Sequence, residues 1–188
     1  MKQLYALFCL VFLFFAAAQA QPAAPQLQTP CVVMEGLMKD FPNNFKAYIG
    51  EDIEVDMFSQ QDARFQSKIT IPGARETFFY NEVFSKANVF YTKFYEGGDS
   101  ALANGEFRKW RSKLEGCSTL PFGTLGAIES EDEYEKKIIW YPFDVSGDME
   151  KKYGNLQIEF KIFKWSKMKP NGQLDPVYTL EMRILRSS

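Results

Sequence analysis

Hydrophobic residues along the chain follow two spacings, one of three to four residues and one of two, separated by polar breaks. Cys31, Met34, Met38, Phe41 and Phe45 recur at helical steps, which predicts a helix over 29–41 with Thr29 as N-cap and Pro30 at its first position. Pro42 and Asn43-Asn44 end it. Ala103, Phe107, Trp110, Leu114 and Cys117 mark one face of a second helix over 99–116, with Asp99 or Ser100 as cap and Gly116 near its end. Elsewhere the pattern is strand-like. Segments 53–57, 65–71, 76–84 and 87–95 precede the second helix, and 122–128, 133–143, 156–165 and 177–185 follow it. The last two alternate most clearly: Leu156, Ile158, Phe160 and Ile162 share one face, as do Tyr178, Leu180, Met182 and Ile184. Residues 166–176, containing Lys169-Pro170-Asn171-Gly172, are expected to form a loop longer than a tight hairpin. The order helix, strands, helix, strands predicts an α+β domain with two helices packed on a mainly antiparallel sheet.

Ahead of the first helix the pattern is different. Lys2 precedes an uncharged stretch over 4–18 that closes on Ala18-Gln19-Ala20, as a secretory signal peptide over 1–20 would. The stretch is too short for a membrane-spanning helix, so cleavage would leave a mature chain from Gln21 without a transmembrane segment. Residues 21–29, proline-rich and uncharged, read as an extended leader to a single domain over 30–188. A periplasmic or secreted location is expected.

That location changes the meaning of the cysteines. Cys9 lies in the apolar stretch, which leaves Cys31 and Cys117 as a candidate disulfide; two buried free thiols are the alternative. A bridge would join the start of the first helix to the end of the second and favour antiparallel neighbours.

Cys31 in an early helix, FPNNFKAYIGE at 41–51, ITIPGA at 69–74 and the helix ending at Cys117 resemble a group of small secreted, uncharacterised proteins of Bacteroidetes-type bacteria. The element order is also similar to the secretion-chaperone fold, and that resemblance implies a twisted sheet used for binding. The chain departs from that fold by ending in strands and by carrying its own export signal. Neither resemblance implies a catalytic residue or a cofactor.

Charge and composition narrow the chemistry. The formal net charge is −2, and loss of Lys2 makes the mature chain one unit more negative; with basic and acidic residues interleaved, nothing invites nucleic acid. The absence of histidine excludes Ser-His-Asp and Cys-His catalysis and histidine-containing zinc sites. Glu129, Glu131, Asp132, Glu133 and Glu135 crowd one segment, which reads either as a solvated acidic turn or as a source of paired carboxylates. Asp144, Ser146, Asp148 and Glu150 hint at calcium, but a calcium-loop register would put Met149 where glycine is required.

Aromatic residues make up 16% of the chain; most must be core, filling the space between helices and sheet, and the exceptions are candidates for function. An even-numbered inner face on 156–165 places Phe163 and Trp165 outside, and both faces around Trp140 and Tyr141 are apolar. The sequence therefore points to a non-enzymatic exported binding module, holding a protein, peptide or apolar ligand on a sheet face that bears Trp140, Phe163 and Trp165. A bulged strand returning these side chains to the core is the structural alternative. The functional alternative is a small carbohydrate-active protein, a sugar binder or carboxylate hydrolase, using aromatic stacking with Glu129, Glu131 or Glu133.

Overall fold

In the computed structural model, described over residues 29–53, 63–82, 87–117 and 125–187, three helices pack on one face of an eight-stranded antiparallel sheet. The signal and leader segments before residue 29, and residues 54–57, 83–84 and 122–124 of the expected strands, lie outside the described residues.

Helix α1 (Pro30–Asp40) starts where its cap chemistry requires. The Thr29 hydroxyl accepts from the Val32 amide at 3.4 Å and Pro30 occupies the first turn. A 3-10 turn (Phe41–Asn43) follows, then Asn44 and Phe45 at φ of 60°. Phe45 is nonetheless buried, 5.7 Å from the Phe41 ring and 5.5 Å from Phe79, so core packing holds a bulky residue in the left-handed region. Asn44 also accepts from the Asn88 amide at 3.0 Å and so fixes this corner to the sheet.

Strands β1 (Ile49–Ile53), β2 (Arg64–Ser67), β3 (Glu76–Asn81) and β4 (Asn88–Gly97) form a meander. Helix α2 (Ser100–Glu115) then crosses the sheet, capped by Asp99, whose carboxylate accepts from Ala101 and Leu102 at 2.8 and 3.0 Å. Strands β5 (Leu125–Glu131) and β6 (Glu135–Pro142), helix α3 (Asp148–Tyr153), and strands β7 (Leu156–Met168) and β8 (Leu174–Arg186) complete the chain. The spatial order β1-β2-β3-β4-β8-β7-β6-β5 puts the last strand at the centre, where it joins the two meanders.

One core forms between helices and sheet. Its sheet side is Phe79, Phe90, Ile138, Phe160, Leu180 and Met182 with their same-face neighbours, and α1, α2 and α3 all contribute to it. A bulge between Lys93 and Tyr95 lets both Phe94 and Tyr95 enter this core. Phe94 stacks on Trp110 of α2 at 4.1 Å between ring centroids. Cys31 and Cys117 are bridged, with their Cα atoms 5.0 Å apart, so the start of α1 is fastened to the end of α2.

The sheet and the α+β class match the sequence pattern, but three details differ. The short α3 adds a third helix and splits the second block of strands, giving helix, four strands, helix, two strands, helix, two strands. It has only Gly147 as cap, with no side-chain capping bond, and buries one residue, Tyr153. The connection expected over 166–176 is shorter, because β7 and β8 continue pairing to Met168 and Leu174 and leave only residues 169–173 as the turn. Gly172, at φ of +82°, allows that turn to close. A strand not expected from the pattern runs over Ile49–Ile53, up to the start of the expected segment 53–57, of which only Ile53 is among the described residues.

Candidate functional site

Because every helix packs on one side, the other side of the sheet has no second layer among the described residues. Alternation fixes what it presents. Leu156, Ile158, Phe160 and Ile162 of β7 and Leu180, Met182 and Ile184 of β8 enter the core, so Glu159, Lys161, Phe163 and Trp165 of β7, and Thr179, Glu181 and Arg183 of β8, point away from the helices. The same holds for Tyr91 and Lys93 of β4, which stand opposite Arg183 and Glu181.

These outward side chains define a hollow of about 480 Å³ spanning β2, β3, β4 and β8. Three cations line it, Arg64, Lys93 and Arg183, against two carboxylates, Glu76 and Glu181. Its aromatic wall is Phe78, Tyr80 and Tyr91, with Phe78 stacked on Tyr91 at 4.5 Å and the Arg64 guanidinium 4.7 Å above the Phe78 ring.

Glu181 is the centre of the charge arrangement and is only 2% exposed. Its Oε1 lies 2.7 Å from Arg183 Nη2 and 3.8 Å from Lys161 Nζ, and Lys93 and Lys161 are its cross-strand neighbours. Burial opposes the charge on Arg183, and Glu181 outweighs that opposition, so the guanidinium is held firmly cationic. Burial, and then the Glu181 carboxylate, push the Tyr91 phenol far above its ordinary range and keep it protonated. Lys93 is also buried in part, but its bonds to Glu76 at 2.8 Å and Glu96 at 3.0 Å hold its charge. Arg183 Nε is buried and finds no hydrogen-bond acceptor among the described residues.

The charge network continues along the face. Burial disfavours ionisation of Glu135, but Lys137 at 3.1 Å and Lys161 at 3.2 Å outweigh it and hold the carboxyl below its usual range. A carboxylate with a depressed folded-state pKa contributes stability above its unfolded value, and that contribution is lost as pH falls through the folded value. Acidification below roughly pH 4 is therefore expected to destabilise the native chain more steeply than Glu135→Gln. Urea midpoints between pH 3 and pH 7 measure this, and parallel curves for the two proteins would disprove it.

The three aromatic residues singled out from sequence do not share a face. Phe163 and Trp165 do lie on the helix-free side; Trp165 is 39% exposed, and its indole donates to the Thr179 hydroxyl at 3.0 Å. Trp140 is on the opposite side, 6% exposed and stacked 5.9 Å from Phe160 in the core. The pairing of Ile138 with Phe160 and Trp140 with Ile158 turns the even positions of β6 towards the helices. Both faces of β6 are apolar at this point, so sequence alone had no basis for choosing.

The acidic segment is mostly engaged. Glu129 faces α2 and takes a bidentate pair from Arg111, with its shorter contact at 2.6 Å. Glu131 pairs with Lys136 at 2.8 Å, and Asp132 accepts from the Tyr134 and Glu135 amides, which lower its pKa. Glu131 and Glu133 do share a small hollow of about 130 Å³ with Phe163 and Tyr134. No group of three or more Cys, Asp or Glu side chains is arranged to hold a metal among the described residues. No helix among them is long and apolar enough to cross a membrane.

The residues sequence reasoning missed are Arg64, Tyr80, Tyr91, Lys93, Glu181 and Arg183. The available signal was weak: Tyr91-x-Lys93 and Glu181-x-Arg183 place aromatic and charged groups on the outward positions of strands whose inward positions over 90–94 and 178–184 are apolar or small. No known protein family, curated protein or solved structure matches the chain.

Proposed function

We infer that this is an exported, non-enzymatic binding module that holds a protein or peptide segment on the helix-free face of its sheet. The observation that carries this reading is the face itself. Where an opposing layer would pack, β2, β3, β4 and β8 present a hollow of about 480 Å³ with cations, carboxylates and stacked rings. Its volume is that of a ligand site. Its polar lining favours a hydrogen-bonding peptide over an apolar ligand. Phe163 and Trp165 extend the same face along β7 and supply apolar contact beside it. The disulfide supports export, since such bridges persist in oxidising compartments.

Cross-linking in the native envelope, followed by mass spectrometry, tests the reading. A stoichiometric partner is expected to be linked through Lys93 and Lys161, and Phe163→Ser with Trp165→Ser is expected to reduce its recovery about ten-fold while leaving the circular dichroism spectrum unchanged. Loss of the fold in that variant would make both residues core elements, and cross-links confined to the helices would place the contact elsewhere.

A further inference from the structure

We propose that the free edge of β5 pairs antiparallel with the same edge of a second copy of this chain, joining two sheets into one across a twofold axis at Ile128. Strand β5 ends the spatial order of the sheet and pairs with β6 alone among the described residues, which leaves one row of its amides and carbonyls without a ladder partner there. Five of its seven residues, Ala127 to Glu131, are exposed. Helix α2 packs mainly on β4, β7 and β8 and reaches β5 through the long Arg111 side chain, so the edge itself is open to another strand.

Symmetry and charge decide the register. Residues directly opposite in an antiparallel pair share a face of the sheet, so a twofold axis through the edge must set one residue opposite itself. Ile128 is the midpoint of Leu125–Glu131, and a ladder centred there uses the whole strand. Leu125 then meets the second copy's Glu131, Gly126 meets its Ser130 and Ala127 meets its Glu129, so no two like charges are opposed. Centring on Glu129 would set that carboxylate against itself, and centring on Ser130 would set Glu129 against Glu131; both are destabilising. Centring on Ala127 would shorten the ladder to 125–129.

The side chains on the axis supply the drive to associate. Ile128 is 57% exposed and stands opposite Ile139 of β6, which points to the helix-free side because its neighbours Ile138 and Trp140 enter the core. In the joined sheet the two copies of Ile128 meet, flanked by the two copies of Ile139, and the four side chains leave water together. Beside them the Tyr141 ring lies across Gly126, where a Cβ would come within 2.6 Å of it, so glycine lets this apolar surface continue to the edge. The carboxylates do not guard that edge. Glu129 faces α2 in its bidentate pair with Arg111, and Glu131 is paired with Lys136. A twofold axis perpendicular to the sheet keeps all helices on one side, so the pair presents two helix-free faces side by side, an arrangement that strengthens binding to a partner long enough to span both.

Sedimentation equilibrium of the chain purified after export, with its disulfide intact, tests the pairing. One short ladder and one apolar cluster make a small interface, so a monomer–dimer equilibrium with a dissociation constant of roughly 10–100 μM is expected. Ile128→Lys sets two ammonium groups on the axis and is expected to weaken the dimer at least about ten-fold, with an unchanged circular dichroism spectrum because the position is exposed. Ser130→Glu, opposite Lys137 in its own chain and Gly126 in the second copy, is expected to leave the dimer intact. In the unaltered chain, raising the concentration is expected to slow amide exchange at alternate positions of β5 and not in β1. A monomer up to about 1 mM, or association that grows beyond two copies, overturns the proposal. So does a folded Ile128→Lys variant that dimerises as well as the native chain, or β5 exchange that is independent of concentration. Loss of the dimer in Ser130→Glu would overturn the register centred on Ile128.

Discussion

Replacing Phe160 by alanine is expected to destabilise the chain by about 3–5 kcal/mol, the range for removing a fully buried large aromatic side chain. Phe160 is 0% exposed and is where sheet and helix meet. Its ring stacks on Phe107 of α2 at 4.9 Å and on Trp140 of β6 at 5.9 Å, and meets Phe94 of β4 edge-on at 6.2 Å. Three rings from three elements thus lose their common partner at once, and rigid strands on either side limit how far the cavity can collapse. Urea denaturation should show the loss as a lower midpoint at unchanged slope. A change below about 1 kcal/mol would mean that α2 is not anchored through this stack. Trp165, five residues along β7 and on the other face, shares none of these partners, which is why it can be altered as a test of binding and Phe160 cannot.

That contrast also marks where the sequence was readable. Over 156–162 of β7 and 178–184 of β8 each inward position is apolar and most outward positions are polar, so period-two alternation identified both strands, their register-bearing faces and the outward placement of Phe163 and Trp165. The signal ceased before the strands did. Ser166, Lys167, Leu174 and Asp175 project beyond the core and are exposed or nearly so on both faces; the ladder continues there on backbone bonds that leave no trace in hydrophobic spacing. Helix α3 was hidden for a related reason, since one turn and a half burying a single tyrosine has no periodicity to detect.

The candidate site escaped for a topological reason. Arg64, Lys93 and Arg183 belong to strands far apart in sequence, and each looks like a solvated residue on an alternating strand. They converge only because β8, last in the chain, inserts beside β4 and pairs Lys93 with Glu181 and Tyr91 with Arg183. Strand order of that kind follows from long-range pairing, which a single sequence does not encode locally. Burial of Glu181 then turns a row of apparent surface charges into an interdependent set, with Arg183 and Lys161 offsetting a carboxylate taken out of water.

Substitution of both Cys31 and Cys117 by serine is expected to reduce stability by about 2–5 kcal/mol, an effect comparable to the loss of Phe160. The two cysteines are 86 positions apart, so the bridge closes most of the helical layer and the whole first meander into one loop. In the chain-entropy account a loop of that length places the effect towards the upper part of the range, because the reduced, unfolded chain regains the most freedom. The native contacts point the same way. Helix α1 buries Val33, Met34, Leu37 and Met38, yet no strand ladder holds it in place, and the bridge fixes its first turn to the end of α2. The helical layer, and not the sheet, should therefore loosen first. Amide exchange in the serine variant should accelerate in α1 and the last turn of α2 before it does in β7 and β8, whose ladder is the longest in the sheet. Uniform acceleration would assign the effect to the unfolded chain alone. An unchanged denaturation midpoint, in the variant and in the native chain under reductant, would show that the bridge contributes nothing to the folded state.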